Sequence, residues 1–224
     1  MTGTSPALVA AREADAAAAS AVKAHQAAGE LESARQRYAE LVARHQRRAA
    51  RIAYHYLRDS AEADEAVQDA FIKAYLHIGT FREELPFEVW FTRILINGCL
   101  DRLKARKRRE KWLVPPSVDP SGIERNPADL LPSRGPSPEE YVLRQERRRQ
   151  LQVALGQLPE RQRLVFALSH FEGRSSREVS QMTGLSESTI RVHLFRAIRR
   201  LRGLLAKGTP RIGPTSRRIS RAAH

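Results

Sequence analysis

Apolar positions recur at three- and four-residue spacing through most of the chain, the period of α-helices buried along one face. From about Ser33, the residues Tyr38, Leu41, Val42, Ala49, Ile52, Ala53 and Tyr56 share such a face, with Arg44, Arg47, Arg48 and Arg51 mostly off it. This helix is expected to end near Arg58, where Asp59 and Glu62 are spaced to cap the next one. In ADEAVQDAFIKAYLHI, the positions Ala63, Ala66, Val67, Ala70, Phe71, Ala74, Tyr75 and Ile78 form an almost unbroken stripe. Gly79 to Pro86 reads as a loop, with Pro86 placed to open a third helix. That helix has two stripes, Phe87, Trp90, Phe91, Ile94 and Leu95 on one, Val89, Ile96, Leu100 and Leu103 on the other. It should therefore be central and covered on both sides.

The period is lost between Trp112 and Glu139, where Pro115, Pro116, Pro120, Pro127, Pro132, Pro136 and Pro138 predict an extended, semi-stiff linker. Helical spacing resumes from Tyr141 to Leu155. A further helix is expected with Pro159 at its first position, Leu164, Val165 and Leu168 facing inward and Gly173 at its end. The stretch SSREVSQMTGLSESTIRVHLFRAIRR then reads as two helices around a tight turn. Ser175 and Glu178 have capping-box spacing, Gly184 suits a left-handed helix stop, and Ser186 can cap the second helix. Ile190, Leu194, Ala197, Ile198 and Leu201 continue the inner face, while Arg191, His193, Arg196, Arg199 and Arg200 line the outer one. A short helix, a Gly turn and a basic second helix satisfy the needs of a DNA-reading helix-turn-helix. A plain helical hairpin with a solvated basic face is the competing reading.

The fold class that follows is all-α, two small helical domains joined by a Pro-rich linker. Residues 1–32 form an Ala-rich extension with little large apolar surface, expected to be mobile or transiently helical. Residues 33–111 form the first domain, 112–140 the linker, 141–206 the helix-turn-helix domain and 207–224 a basic tail.

Charge sharpens the picture. The chain of 224 residues has 39 Lys and Arg against 25 Asp and Glu, a formal net charge of +14, which favours a polyanionic partner. Seven of the ten positions from Arg102 to Lys111 are Lys or Arg, beside aromatic residues; this suits single-stranded nucleic acid, or is a nonspecific basic end to a helix. Against this background the second helix leaves Asp64, Glu65, Gln68 and Asp69 on its open face. DNA phosphates repel such a face, so it should meet a basic protein surface, unless its acids merely complement the helix dipole. Cys99 is the single cysteine and lies in an apolar pattern, so a buried structural thiol is expected. No catalytic cluster, metal-ligand spacing or phosphate-cradling Gly loop is present, so neither an enzyme nor a cofactor is expected. No apolar run can span a bilayer, which excludes membrane insertion and places the chain in the cytoplasm.

With these residues in view, the chain resembles bacterial sigma factors of the sigma-70 family, in particular the extracytoplasmic-function group. ADEAVQDAFIKAY with FEVWFTRILINGCLDRLKARKR resembles the sigma-2 domain. LPERQRLVFALSHFEGRSSREVSQMTGLSESTIRVHLFRAIRRLR resembles sigma-4. The resemblance implies binding to core RNA polymerase, through the beta-prime clamp helices and the beta flap, together with promoter recognition, melting and initiation. It implies that Asp64, Glu65, Gln68 and Asp69 dock on the clamp helices. The Phe81 to Phe87 loop would receive a flipped minus-10 base, Asn97 would contact a base, and Lys104, Arg106, Lys107 and Arg108 would hold phosphates. Ser188, Thr189, Arg191, Val192, Phe195 and Arg196 would face the minus-35 element, although Phe195 is equally read as core. Members of the group are often held inactive by an anti-sigma factor, which adds a candidate partner. The sequence departs from the pattern at Ser180, where Ala is usual, and at Gly98 and Cys99 after Asn97. The alternative is a stand-alone helix-turn-helix regulator, which leaves the acidic helix without a purpose.

Overall fold

The structure, a computed structural model, describes residues 6–112 and 138–208. Residues 113–137 of the expected linker and 209–224 of the expected tail lie outside the described residues, while Pro138, expected in the linker, opens a helix and residues 207–208 end another. Every regular element among the described residues is helical: α1 (Pro6–Ala27), α2 (Leu31–Leu57), α3 (Ser60–Leu76), a 3₁₀ turn (Ile78–Thr80), α4 (Phe87–Trp112), α5 (Pro138–Gly156), α6 (Glu160–Phe166), a π-helical turn (Ala167–Phe171), α7 (Ser176–Thr183) and α8 (Glu187–Gly208).

Local chemistry explains most of these boundaries. α2 stops where Arg58 adopts a left-handed conformation, φ 61°, and donates its N–H to the Tyr54 carbonyl. The Asp59 side chain accepts from the Glu62 N–H and starts α3. Ser175 and Glu178 form the full reciprocal capping box, and Gly184 at φ 73° closes α7. Pro159 stands one position outside α6 rather than at its first residue. The π-helical turn continues α6 with a wider spacing, the Glu172 N–H bonding the Ala167 carbonyl.

The periodic residues fill the core as expected. Leu41, Leu57, Ile78, Phe87, Leu95 and Ile96 are fully buried, and both stripes of α4 contribute. Cys99 is buried, and burial pushes its thiol up to about 12. A smaller cluster of Ala154, Leu155, Leu158, Phe166, Ala197 and Leu201 joins α5, α6 and α8.

Two features depart from the sequence reading. The N-terminal extension is not a mobile segment over residues 6–27: α1 packs on α2 and α4. Ala18, Ala19 and Val22 are buried in the main core beside Ala34, Tyr38 and Leu41. Small side chains let two helix backbones approach closely, so a helix can dock without large apolar residues. The two helical units also share one core. Leu164, Val165, Leu168, Val179, Met182 and Ile190 join the cluster built by α1 to α4. Arg163 crosses the seam and donates to the carbonyls of His55 (2.7 Å) and Tyr56 (3.1 Å), and Arg106 donates to that of Leu57 (3.3 Å). These bonds satisfy the last-turn carbonyls of α2 and place cations at its negative dipole end.

Candidate nucleic-acid interface and docking face

α3 turns its alanine and Phe71 stripe inward, which leaves Asp64, Glu65, Gln68 and Asp69 exposed on the outer face. Arg102 of α4 borders this face and donates to Glu65 at 2.9 Å and Asp69 at 2.5 Å, and these bonds raise its pKa. Asp64 and Gln68 begin a row at four-residue spacing that continues with Ile72, 58% exposed, and Leu76, 68% exposed. Large apolar side chains left open beside acids make an amphipathic contact surface. The sequence reading missed Ile72 and Leu76. Their spacing from Gln68 was the available signal, a second ridge running beside the buried stripe.

The basic run of α4 divides. Asn97, Lys104 and Arg108 are exposed and fall on one side of the helix, seven and eleven positions apart from Asn97. Lys104 also pairs with Asp101 at 3.3 Å. Arg106 turns back to Leu57 and Glu62 of the first domain, and Lys107 reaches Glu160 of the second at 2.8 Å. They line an interdomain cleft with Arg58, Arg161, Arg163 and His193. Burial, followed by Arg161 and Arg196, lowers the pKa of His193, as a crowded positive cleft requires. Arg106 and Lys107 therefore do not share the Asn97 surface in this conformation.

The loop expected to receive a base needs the same distinction. Phe81 is 4% exposed and Phe87 fully buried. Their rings meet at 5.8 Å edge-to-face, and both contact Trp90, while Phe87 stacks with Phe91. Neither ring offers a free face here; they hold the loop from beneath. The exposed loop side chains are those of Arg82, Glu83 and Glu84.

In the helix-turn-helix, Val179 and Met182 of α7 and Ile190 of α8 are buried, which fixes the angle between the helices. Ser180 takes the place of the usual Ala by donating its hydroxyl to the Leu185 carbonyl at 2.6 Å. Ser186 accepts from the Thr189 N–H at 3.3 Å and bonds the Ser188 and Thr189 hydroxyls, capping α8. Ser188, Arg191, Val192, Phe195 and Arg196 are exposed and Thr189 is half-buried. Phe195 is 68% exposed, which settles the choice between core and surface in favour of surface. One side of α8 thus presents hydroxyls, two apolar groups and two guanidinium groups, the donor and methyl-contact chemistry that a major groove reads.

Comparison with known proteins agrees with this layout. Residues 41–109 match the family model for Sigma-70 region 2, and residues 148–201 that for Sigma-70 region 4. The RNA polymerase sigma-H factor of Pseudomonas aeruginosa is 34% identical over 143 residues, covering 63% of this chain and 72% of that protein. The ECF RNA polymerase sigma-E factor of Escherichia coli is 33% identical over 143 residues, covering 62% and 71%. Among solved structures, CnrH in complex with the cytosolic domain of CnrY has a TM-score of 0.59 at 24% identity, over 88% of this chain and 99% of that one. The sigma factor RpoE in complex with the anti-sigma factor NepR, from Bartonella quintana, has a TM-score of 0.57 at 20% identity, over 75% and 96%. The structures support the fold. The two family models, in order along the chain, and relatives matched over more than two thirds of their length establish that the chain belongs to the sigma-70 family of RNA polymerase sigma factors, in its extracytoplasmic-function group.

Proposed function

We propose how this sigma factor divides its work between its exposed faces. As a member of its family it binds core RNA polymerase and directs it to promoters for initiation. The α3 face of Asp64, Glu65, Gln68 and Asp69, extended by Ile72 and Leu76, docks on a basic and apolar surface of the polymerase, the beta-prime clamp helices. Asn97 reads a minus-10 base while Lys104 and Arg108 hold the adjacent phosphates. Lys107 joins them once the domains part, Arg106 on leaving Leu57 and Glu62, and the loop above Phe81 and Phe87 receives the flipped base. On α8, Ser188, Thr189, Arg191, Val192, Phe195 and Arg196 read the minus-35 element. The chain acts in the cytoplasm and carries no catalytic residue of its own; an anti-sigma factor, such as the partner in the RpoE structure, is its proposed restraint.

The observation that carries this reading is the pair of exposed faces of opposite sign, one on each matched module. Repulsion keeps α3 away from phosphates, and attraction brings α8 to them. Engagement of both promoter elements also requires the domains to separate. A compact body of this length has a diameter of about 40 Å. The two elements, about 25 base pairs apart by their names, are separated by ~85 Å of duplex.

The test is co-elution of the purified chain with core polymerase on a sizing column, followed by transcription from a pooled promoter library. Stable co-elution with promoter-specific transcripts is expected. No association, with tight dimeric binding to duplex DNA instead, would overturn the assignment in favour of a stand-alone regulator.

A further inference from the structure

Helix α1 ties together more of the molecule than its position at one end suggests. Arg12 donates to Glu178 of α7 at 2.5 Å. Buried Asp15 pairs with Arg44 at 2.9 Å and His45 at 2.8 Å on α2. The Ser20 hydroxyl donates to Glu83 in the loop between α3 and α4. Gln26 donates to the Tyr75 carbonyl near the end of α3 at 3.1 Å. One helix therefore grips the first domain, the loop proposed to receive a base, and the helix-turn-helix domain.

The contact at Glu178 begins a longer series of alternating charges. Arg174 pairs with Glu178 at 3.0 Å and with Glu88 of α4. Glu88 also pairs with Arg48 of α2, and Arg48 reaches Glu172 at 2.6 Å. Glu172 in turn accepts from Arg51 at 3.2 Å. The series crosses the seam at Arg12–Glu178, at Arg174–Glu88 and at Glu172 with Arg48 and Arg51. Glu88 and Arg174 are buried. Burial, then the neighbouring Arg174, lowers the Arg48 guanidinium to about 10.

Buried ion pairs add little net adhesion, because desolvation offsets their attraction, but each demands its partner in register. Apolar contacts such as Val165, Leu168 and Val179 supply adhesion, and the charge series selects one arrangement. A seam built this way yields when another charged surface takes over the partners.

We propose that α1 and this charge series form an intramolecular latch: it holds the helix-turn-helix domain against the first domain and ties down the loop before α4 through Glu83, keeping the free protein closed until polymerase and promoter displace it. The inference rests on the preceding reading, in which both promoter elements are engaged by separated domains.

The decisive experiment is small-angle scattering of the free full chain at low and high salt, for the wild type, Arg12→Glu and Glu172→Gln. The same proteins are then assayed for transcription at limiting amounts with core polymerase. Circular dichroism verifies folding, and the milder Glu172→Gln serves if the charge reversal unfolds the chain. The wild type should be compact at both salt concentrations, because the series is buried and the adhesion apolar. Either variant should be expanded at low salt and raise transcription, with the open-to-closed ratio increased about tenfold or more, since loss of one partner of a buried pair strongly disfavours the packed state. Unchanged scattering in both variants overturns the latch. Expansion without a gain in transcription overturns its inhibitory role. A wild type that neither binds core nor directs transcripts overturns the sigma assignment, while the scattering still decides the latch.

Discussion

α3 and α8 are built alike with opposite sign. Each buries an apolar stripe and leaves two larger apolar side chains open, Ile72 and Leu76 on one, Val192 and Phe195 on the other. Around the first pair stand Asp64, Glu65 and Asp69, and around the second Arg191 and Arg196. The apolar pairs supply contact area to any partner, whereas the surrounding charge decides which partner approaches. On the proposed reading, one chain of strongly positive net charge thus keeps its docking face and its DNA-reading face from being confused.

The comparison breaks most readily by inverting the α3 charge. Asp64→Lys combined with Gln68→Lys should weaken core polymerase binding by about 2–4 kcal/mol, because like charges then face each other. Circular dichroism should stay unchanged, since both positions are exposed. Unaltered affinity in a fluorescence titration with core would remove the docking assignment. Arg196→Ala should next cost about 1–3 kcal/mol of discrimination at one minus-35 base pair, read out on a promoter panel. A loss spread evenly over all promoters would instead make Arg196 a phosphate contact.

The apolar half of the design is tested by Leu76→Ala, for which a loss of about 1–2 kcal/mol in core binding is expected from the contact area removed. The melting temperature should barely move, as is usual for exposed positions. Equal binding by wild type and variant would leave Leu76 an incidental exposed residue. Acid probes the seam between the faces instead of the faces themselves. His55 stacks on Phe171 across that seam at 5.1 Å. Burial, outweighing the opposing Glu172, holds His55 down at about 4, with Arg58, Arg163 and Arg51 adding to the shift. The folded state therefore favours neutral His55. The resulting stability is fully present above the unfolded value of about 6.5 and is lost as pH falls toward 4. Denaturant titrations should show a decrease of about 1–2 kcal/mol over that window, after discounting for partial exposure. His55→Gln should flatten the decline; an equal decline in the variant would assign it to other groups.

Much of the fold was legible because it is local. The Asp59 cap, the Ser175–Glu178 box and the Gly184 stop each depend on residues within a turn of one another. The stripes of α2, α3 and α4 needed only the helical period. What escaped the sequence depends on distant residues. α1 lacks large apolar groups, so nothing in its own pattern announced that Ala19 and Val22 would be fully buried. The division of the basic run, with Lys104 and Arg108 beside Asn97 but Arg106 and Lys107 turned away, is set by Glu62 and Glu160 on other helices. Phe81 and Phe87 belong to a ring cluster that includes His45, a contact that spacing within the loop cannot show. Exposure of Phe195 likewise depends on how α8 seats on α6 and α7.

The carbonyls at the end of α2 carry a further consequence, one of timing. Arg163, which satisfies the His55 carbonyl, follows it by 108 residues. A ribosome adding about 5–20 residues per second makes the last turn of α2 some 5–20 s before the group that completes it. During that interval water must serve the His55 and Tyr56 carbonyls. The last turn of α2 is thus made before its partner exists, and completing it is the work of the helix-turn-helix domain.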